Sequence, residues 1–347
     1  MLELAVERRV GAFTLDVELR TGGGVTALFG PSGSGKTTLA RIVAGLTRPD
    51  RGRVVLNGRV LFDSDVDLPA HARRIGYVFQ EPRLLPHRDV RANLLYGAPR
   101  GTDPTGIVRM LDIESLLSRR PAGLSGGEAA RVAIGRALLR SPDLLIMDEP
   151  LAALDARRRG TILPYLERLR GRGLPILYIS HAIEEVARLA TDVVVLREGR
   201  VLRAGPVGEL LADPEAAAAM GPDSAGAMIE GIARPGPDGL AEVETPLGRL
   251  HLAGAAPGAV RIRIRAEDVI LATRRPEGLS ALNVLPGTVD AVRVGQGPGV
   301  MVRVRVGEGA LLARLTRRSA EAMDLRPGRD VWAVIKASGV ARSDTGG

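Results

Sequence analysis

One glycine-rich stretch near the start of the chain restricts the possible folds more than any other feature. An apolar segment, Val25–Phe29, leads into Gly30–Thr37 (GPSGSGKT), and residues up to Leu46 then carry apolar side chains at helical spacing. Glycines let the backbone curl so that successive N–H groups point inward, and the following helix adds its positive N-terminal end. The full pattern G-x-x-x-x-G-K-[ST] between a strand and a helix predicts a phosphate-binding loop rather than a surface turn.

The lysine of this loop stands out by composition. The chain has 48 lysines and arginines together, and only Lys36 and Lys336 are lysines. A compact ammonium on a flexible stem behaves differently from a planar guanidinium. We expect Lys36 to reach the β- and γ-phosphates of a nucleotide and the Thr37 hydroxyl to bind Mg²⁺. The loop residues predicted to bind the nucleotide are Gly30, Pro31, Ser32, Gly33, Ser34, Gly35, Lys36, Thr37 and Thr38.

Composition argues against several other classes of protein. At 347 residues, with 45% hydrophobic and 25% charged residues, the chain is predicted to form two or three globular domains. No apolar run approaches the roughly 20 residues that span a bilayer, and the first residues lack the apolar core of a signal peptide. Any membrane association is therefore expected through a partner protein.

Without cysteine, disulfides and thiolate metal sites are excluded, and the four histidines are too scattered to favour a metal site. The net charge of +8 comes from dispersed arginines with 3% aromatic residues, which does not favour nucleic-acid binding.

The first two thirds of the chain alternate short apolar strands with helices, which predicts an α/β core with a parallel sheet and antiparallel strands at its N-terminal side. Asn57-Gly58 between two short strands predicts a hairpin. Predicted strands are 2–10, 13–19, 53–56, 59–62, 75–79, 144–147, 176–179, 193–196 and 200–204. Helical patterns cover most of 88–120 and then 128–139, 156–169 and 182–190.

The last third has a different pattern. Residues 212–239 are rich in Ala, Gly, Pro and Asp, which predicts a linker with a short helix at most. The segments that follow have the alternation of strands, which predicts a separate small β domain. These strands are 260–264, 287–294, 300–306, 310–315 and 330–335.

A second motif supports nucleotide hydrolysis. The apolar strand Leu144–Met147 ends in Asp148 and Glu149. We expect Asp148 to hold Mg²⁺, directly or through water, and Glu149 to polarise the attacking water. An apolar run before Asp-Glu is by itself weak evidence for a nucleotide-hydrolysis site. Together with Lys36 and Thr37 in the same chain, it becomes strong evidence.

The segment Leu124–Glu128 (LSGGE) places Ser125 and two glycines before a helix. Such a turn presents a hydroxyl and a positive helix end to a phosphate, and Ser125 with Glu128 also forms a capping-box pattern. The segment closely resembles the LSGGQ signature of ATP-binding cassette (ABC) ATPases, with glutamic acid in place of glutamine.

The resemblance implies roles for further residues in family order. Gln80 is similar to the Q-loop glutamine, with a catalytic and Mg²⁺-binding role, Leu154-Asp155 to the D-loop and His181 to the switch histidine. The resemblance extends to pairing of two cassettes head to tail, so that ATP on Lys36 of one copy is closed over by the other copy. Phe13 is the candidate for stacking on adenine. The implied closing residues are Ser125, Gly126, Gly127 and Asp155.

Three classes of ABC protein compete. DNA-repair ATPases place a long coiled coil between the P-loop and the signature, whereas about ninety residues separate them here. Translation-factor ABC proteins usually carry two cassettes, and this chain has one P-loop and one signature. Residues 80–97 resemble importer cassettes, where this segment faces a membrane permease; the alternative is a plain amphipathic helix packed on its own domain.

The C-terminal region resembles the molybdate-binding Mop domain, a small OB-like β barrel. The similarity is carried by SALNVLPGTV (280–289), LTRRSA (315–320) and LRPGRDVWAVIK (325–336). An oxyanion needs hydroxyls, N–H groups and a cation; the alternative is that these polar residues satisfy strand ends. The candidates are Ser280, Asn283, Thr316, Ser319, Lys336 and Ser338.

Together these features predict an ABC cassette, with a mixed sheet and a helical subdomain, followed by an all-β OB-like domain. The predicted boundaries are 1–230 for the cassette, with its helical subdomain at 88–139, then 231–278 for a linker and first strands, and 279–345 for the Mop domain.

The implied function is an ATP- and Mg²⁺-dependent subunit that energises import of molybdate or tungstate. It would act as a homodimer on an integral permease at the cytoplasmic face of a bacterial inner membrane, served by a periplasmic molybdate-binding protein, with molybdate also a candidate regulatory ligand. An importer of sulfate, polyamine or sugar and a soluble oxyanion-storage protein with a regulatory ATPase are the alternatives.

Overall fold

The computed structural model describes residues 1–213, 215–216, 220, 225–295, 297–338 and 345–346. Contacts divide the chain into two compact units, Met1–Ala204 and Gly205–Gly347. The division falls earlier than the boundary predicted at residue 230.

Ten strands begin in the first unit and form two sheets. They are β1 (Leu2–Val10), β2 (Phe13–Thr21), β3 (Val25–Phe29), β4 (Arg51–Leu56), β5 (Arg59–Phe62), β6 (Ile75–Val78), β7 (Leu144–Asp148), β8 (Ile176–Ile179), β9 (Asp192–Arg197) and β10 (Arg200–Pro206). The smaller sheet has the order β2-β1-β4-β5 and is antiparallel, as alternation in β1 and β2 predicts. Asn57 and Gly58 both have positive φ in the turn between β4 and β5, which confirms the predicted hairpin.

The larger sheet has the order β10-β9-β3-β8-β7-β6, and its neighbours from β9 to β6 are parallel. Every residue of β3, β7 and β8 is buried, which is why these strands are continuous apolar runs. Because the strands are parallel, the carboxyl ends of β3, β6, β7 and β8 meet at one edge of the sheet. The loops that carry the candidate site residues leave from this edge.

Six helices accompany these sheets. They are α1 (Lys36–Val43), α2 (Val90–Leu94), α3 (Thr105–Leu111), α4 (Gly126–Leu138), α5 (Ala156–Arg170) and α6 (Ile183–Leu189). Helices α2, α3 and α4 lie in the region predicted to be helical and pack closely, since a Cβ on Gly135 of α4 would lie 2.7 Å from Leu94 of α2 and 3.2 Å from Leu111 of α3. The mixed sheet with added helices is the predicted fold.

A buried arginine holds the end of helix α1, the helix that follows the phosphate-binding loop. Arg73 is 1% exposed, and its guanidinium donates to the carbonyl oxygens of Ile42 (2.8 Å) and Val43 (3.0 Å) in the last turn of α1. It also donates to the carbonyl of Leu68 and pairs with Asp67 at 3.3 Å. A cation at a helix C-terminus satisfies orphan carbonyls and complements the helix dipole.

The second unit is built mainly from two five-stranded antiparallel sheets. Its strands are β11 (Gly226–Pro235), β12 (Leu240–Thr245), β13 (Gly248–Ala253), β14 (Gly258–Arg265), β15 (Ile270–Ala272), β16 (Asn283–Val294), β17 (Gly299–Val306), β18 (Gly309–Thr316), β19 (Asp330–Ile335) and β20 (Thr345–Gly346). The sheet orders are β13-β12-β11-β14-β20 and β15-β19-β16-β17-β18. Two short helices, α7 (Val207–Ala212) and α8 (Arg317–Ala322), accompany them.

The linker predicted over 212–239 is wrong between 226 and 235, where strand β11 pairs with both β12 and β14. The small residues that suggested a linker serve close packing instead. A Cβ on Gly231 would lie 2.5 Å from the Glu244 carbonyl oxygen, and Ala227 and Ala233 are buried. Glycine and alanine lower strand propensity, so composition concealed a strand that tertiary contacts stabilise.

Replacing Arg73 with alanine should lower the free energy of unfolding of the first unit by about 3 kcal/mol, because several buried carbonyls lose their donor. Urea unfolding followed by tyrosine fluorescence measures this, since all four tyrosines lie in that unit. The control is Arg20→Ala, which removes an exposed ion pair with Glu3 and should have little effect. Equal stability of the two variants would contradict the capping role.

Candidate functional site

The glycine-rich loop after β3 has the backbone geometry that its sequence predicts. Gly30, Gly33 and Gly35 have φ of 151°, 80° and 102°. A Cβ on Gly30 would lie 2.1 Å from the Leu196 carbonyl oxygen, and one on Gly35 would lie 2.6 Å from Leu15. The first and last of these glycines are therefore required both for their positive φ and for space.

Lys36 lies beneath this loop with 5% of its surface exposed. Its ammonium donates to the carbonyl oxygens of Gly30 (2.8 Å) and Pro31 (2.9 Å) and lies 3.5 Å from the Ser34 hydroxyl. Burial lowers the pKa of the Lys36 ammonium, while the nearby carboxylates of Glu149 and Asp148 act in the opposite direction. A buried cation among polar loop atoms suits the binding of phosphate.

The carboxylate of Asp148, at the end of β7, is held at both oxygens. The Thr37 hydroxyl donates to Oδ1 at 3.0 Å and the Tyr77 hydroxyl donates to Oδ2 at 2.8 Å. Burial, with the Asp148 charge adding to it, raises the pKa of the Tyr77 phenol, so this group stays a donor. The sequence indicated Thr37 and Asp148 but not Tyr77. The feature that could have indicated Tyr77 is an aromatic residue with a hydroxyl on β6, the strand that pairs with β7.

Glu149 and His181 face each other across the carboxyl ends of β7 and β8. His181 Nδ1 lies 3.4 Å from Glu149 Oε2, and the side chains are 59% and 22% exposed. Glu149 has φ of 47°, and its N–H donates to the carbonyl of Ile179 at 3.0 Å. A non-glycine residue held at positive φ is a strained turn position, which is often found at functional sites.

One cavity of about 410 Å³ brings together eight of the predicted site residues and Phe13. It is lined by Val10, Phe13, Ser32, Gly33, Gly35, Lys36, Thr37, Thr38, Gln80 and Glu149. Phe13 packs against the loop, since a Cβ on Gly35 would lie 3.1 Å from its ring. The structure thus places Gln80 and Phe13, the candidate adenine-stacking aromatic, beside the glycine-rich loop.

The remaining predicted nucleotide residues do not line this cavity. Ser125 and Gly126 are exposed, and Ser125 caps α4 in a full capping box with Glu128. Asp155 caps α5 by accepting from the Arg158 N–H at 2.8 Å. The two segments touch each other, because a Cβ on Gly126 would lie 3.2 Å from Leu154.

The residues present fit a magnesium nucleotide. Thr37, Asp148 and Gln80 offer the oxygen ligands that Mg²⁺ prefers alongside phosphate oxygens and water. The glycine loop forms a cradle that side chains would fill. Among the described residues, no cluster of three or more His, Cys, Asp or Glu forms a separate all-protein metal site.

The six candidate oxyanion residues fall into two groups at opposite ends of β16. Asn283 starts β16 opposite Ile335, so Ser280, Lys336 and Ser338 belong to that end. At the other end, Val294 pairs with Val300, and the neighbouring Gly299 pairs with Thr316. Thr316 caps α8 there, with its hydroxyl 2.8 Å from that of Ser319. The second unit does not bring all six residues together.

Within the first group, Asn283 is 2% exposed. Its amide oxygen accepts from the His251 N–H at 2.7 Å, and its amide nitrogen donates to the His251 carbonyl at 3.0 Å. Ser280, Lys336 and Ser338 are exposed.

Fold and site define an ABC-type ATPase, and comparison with known proteins places the chain within that class. The ABC transporter family model matches residues 14–152, and the TOBE domain model matches residues 279–341. The chain is 52% identical to the molybdenum import ATP-binding protein ModC of Rhizobium etli and 51% identical to that of Rhizobium meliloti, in each case over 96% of this chain and 98% of the relative. The chain belongs to this family of molybdenum import ATP-binding proteins.

Solved structures show the same cassette fold. A dimeric ATP-binding cassette in a post-hydrolysis state, bound to ADP and Pi, is 29% identical with a TM-score of 0.51, over 59% of this chain and 98% of that one. A nucleotide-free cassette from an ABC transporter is 25% identical with a TM-score of 0.56, over 62% and 96%.

Replacing Asn283 with alanine should lower the free energy of unfolding of the second unit by about 2 kcal/mol, because the half-buried His251 backbone groups lose both hydrogen-bond partners. Urea unfolding followed by fluorescence of Trp332, the single tryptophan, reports on this unit. Ser280→Ala, at an exposed position, is the control and should unfold like the parent. Unchanged stability of Asn283→Ala would show that the His251 contacts contribute nothing.

Proposed function

We propose that this chain is the ATP-hydrolysing subunit of an importer for molybdate. The observation that supports ATP hydrolysis best is the convergence of Lys36, Thr37, Asp148, Glu149 and His181 at one sheet edge. The names of the full-length relatives support molybdenum as the cargo.

In this proposal each residue has one task. Lys36 and the loop N–H groups bind the β- and γ-phosphates, and Thr37, Asp148 and Gln80 hold Mg²⁺, which neutralises phosphate charge when bound. Glu149 accepts the proton of the attacking water, and His181, beside it, lines the same side of the site. The Tyr77 hydroxyl keeps the Asp148 carboxylate oriented.

A second copy completes the site. Ser125, Gly126, Gly127 and Asp155 lie outside the cavity of their own chain and are exposed or half-buried. The capped N-terminus of α4 offers hydroxyl and N–H groups to a phosphate. A dimeric cassette among the solved relatives supports closure of ATP between Lys36 of one copy and Ser125 of the other.

A groove of about 410 Å³ beside the Q-loop segment is suited to a permease. Its walls include Leu46, Phe79, Leu85 and Tyr96, with Arg83 4.3 Å above the Phe79 ring. Leu46 and Tyr96 are 41% and 49% exposed, and a groove with apolar and aromatic walls, which Arg83, Arg136 and Arg140 also line, fits the helix of a membrane partner. Among the described residues, no helix is long and apolar enough to cross a membrane. We place the chain on the cytoplasmic face of the inner membrane, attached through the permease, with a periplasmic molybdate-binding protein as an indirect partner.

The C-terminal unit is proposed to sense the cargo. Ser280, Lys336 and Ser338 expose two hydroxyls and one ammonium near one end of β16, which suits an oxyanion. Thr316 and Ser319 lie at the other end, so a site that uses both groups requires two copies of the unit. Tungstate, an oxyanion like molybdate, would bind to the same groups. The alternative function is transport of sulfate, polyamine or sugar.

Glu149→Gln should bind ATP with nearly unchanged affinity and hydrolyse it at least about 100-fold more slowly, because the base that accepts the proton of water is lost. Binding is measured with a fluorescent ATP analogue and turnover by phosphate release. Glu18→Gln, at an exposed position on β2, is the matched control. Undiminished turnover of Glu149→Gln would refute the assignment.

Calorimetry of the full-length chain with molybdate, tungstate and sulfate tests the cargo. Molybdate should bind at least about tenfold more tightly than sulfate, and Lys336→Met should weaken it about tenfold through loss of one charge-assisted hydrogen bond. Lys36→Met, the other lysine, is the control and should bind molybdate like the parent. Negligible binding of all three anions would contradict sensing by this unit.

Absence of ATPase stimulation by the co-purified permease would favour a storage protein.

A further inference from the structure

Next to the segment that carries His181 lies a buried carboxylate that no step of the proposed hydrolysis uses. Glu185, on α6, is 4% exposed. Its Oε2 accepts hydrogen bonds from the hydroxyls of Tyr178 (2.7 Å) and Ser180 (2.8 Å). A buried carboxylate is costly unless it is hydrogen-bonded and paired with a cation, so this group is expected to have a specific task.

The Ser180 hydroxyl connects Glu185 to the backbone around His181. While its O–H donates to Glu185, its oxygen accepts from the Ala182 N–H at 3.0 Å. The residues on both sides of His181 are therefore fixed by one hydroxyl. The His181 side chain is 59% exposed, and its Nδ1 lies 3.4 Å from Glu149 Oε2. An exposed side chain on a short loop takes its position from the backbone that carries it.

A cation joins this network from another helix. Arg159 Nη1, on α5, lies 3.7 Å from Glu185 Oε1. A second ion pair, between Glu167 of α5 and Arg188 of α6, has a shortest distance of 2.7 Å between two side chains at most 10% exposed. Helix α5 starts at its cap Asp155, and α6 follows His181, so the two pairs tie the Asp155 segment to the His181 segment.

We propose that Glu185 is a positioning residue that holds His181 against Glu149 through Ser180 and Tyr178. Through Arg159 it also makes the position of His181 depend on the helix that begins at Asp155. A second copy that displaces Asp155 on closure would thereby act on His181. This inference rests on the proposed roles of His181 and Glu149.

The test is a double-mutant cycle on the full-length chain with phosphate release as the readout. Ser180→Ala should lower kcat about tenfold and change KM less than about twofold, because the loop loses its anchor while the phosphate-binding loop is untouched. In a His181→Ala background the same change should cost less than about twofold, since the group that it positions is gone.

Glu185→Gln serves as the second variant, with thermal melting to confirm folding, and should show the same dependence on His181. Tyr178→Phe removes the other hydroxyl that donates to Glu185 and should also lower kcat. Its matched control is Tyr165→Phe, which removes a hydroxyl that donates to the exposed Asp112 and should leave kcat unchanged.

Two results would overturn the inference while leaving the proposed function intact: full activity of Ser180→Ala and Glu185→Gln, or an equal loss with and without His181. Wild-type turnover of His181→Ala would instead refute the role of His181 itself. The first two results leave His181→Ala impaired, whereas the third leaves it fully active, so the two failures are distinguishable.

Discussion

The hydrogen bond from Thr37 to Asp148 follows from the constraint on which the first unit depends, the parallel arrangement of the central strands. These residues are far apart in sequence, yet each follows a strand of the same parallel sheet. Parallel strands deliver their carboxyl ends to one edge, so a loop after β3 and a carboxylate at the end of β7 must meet there. The same edge receives Gln80 after β6 and His181 after β8. The order of strands, rather than any local motif, assembles the site.

Around that edge, carboxylates accept hydrogen bonds from neighbouring hydroxyls. Tyr77 holds Asp148, and Ser180 with Tyr178 ties Glu185 to the loop of His181. Hydroxyl donors satisfy a buried carboxylate without adding charge, and short bonds in a low-dielectric interior restrict its rotation. Glu149 and His181 remain partly exposed, whereas Glu185 is buried. Exposed side chains at the sheet edge are thereby connected to ordered groups beneath them.

In the second unit, the side chain of one candidate anion ligand is engaged with the backbone. Asn283 resembles an anion ligand in sequence, but its amide bridges the His251 backbone. Strand β11 was hidden by glycine and alanine, which look like a linker and instead let neighbouring strands approach. Both cases have the same cause. The residue type sets which contacts a side chain is able to make, and the neighbouring elements determine which of them it makes.

The sequence by itself determined the P-loop, the Asp148-Glu149 strand end, the LSGGE helix start and most element positions, because each depends on local backbone preference or on apolar periodicity. It also indicated the family, through motifs in a set order. Only the tertiary structure decided that Tyr77 donates to Asp148, that Tyr178 and Ser180 donate to Glu185, that Ser125 lies outside the cavity of its own chain, and that the candidate oxyanion residues lie in two groups. These are long-range contacts between elements, and nothing in a local stretch of sequence encodes them.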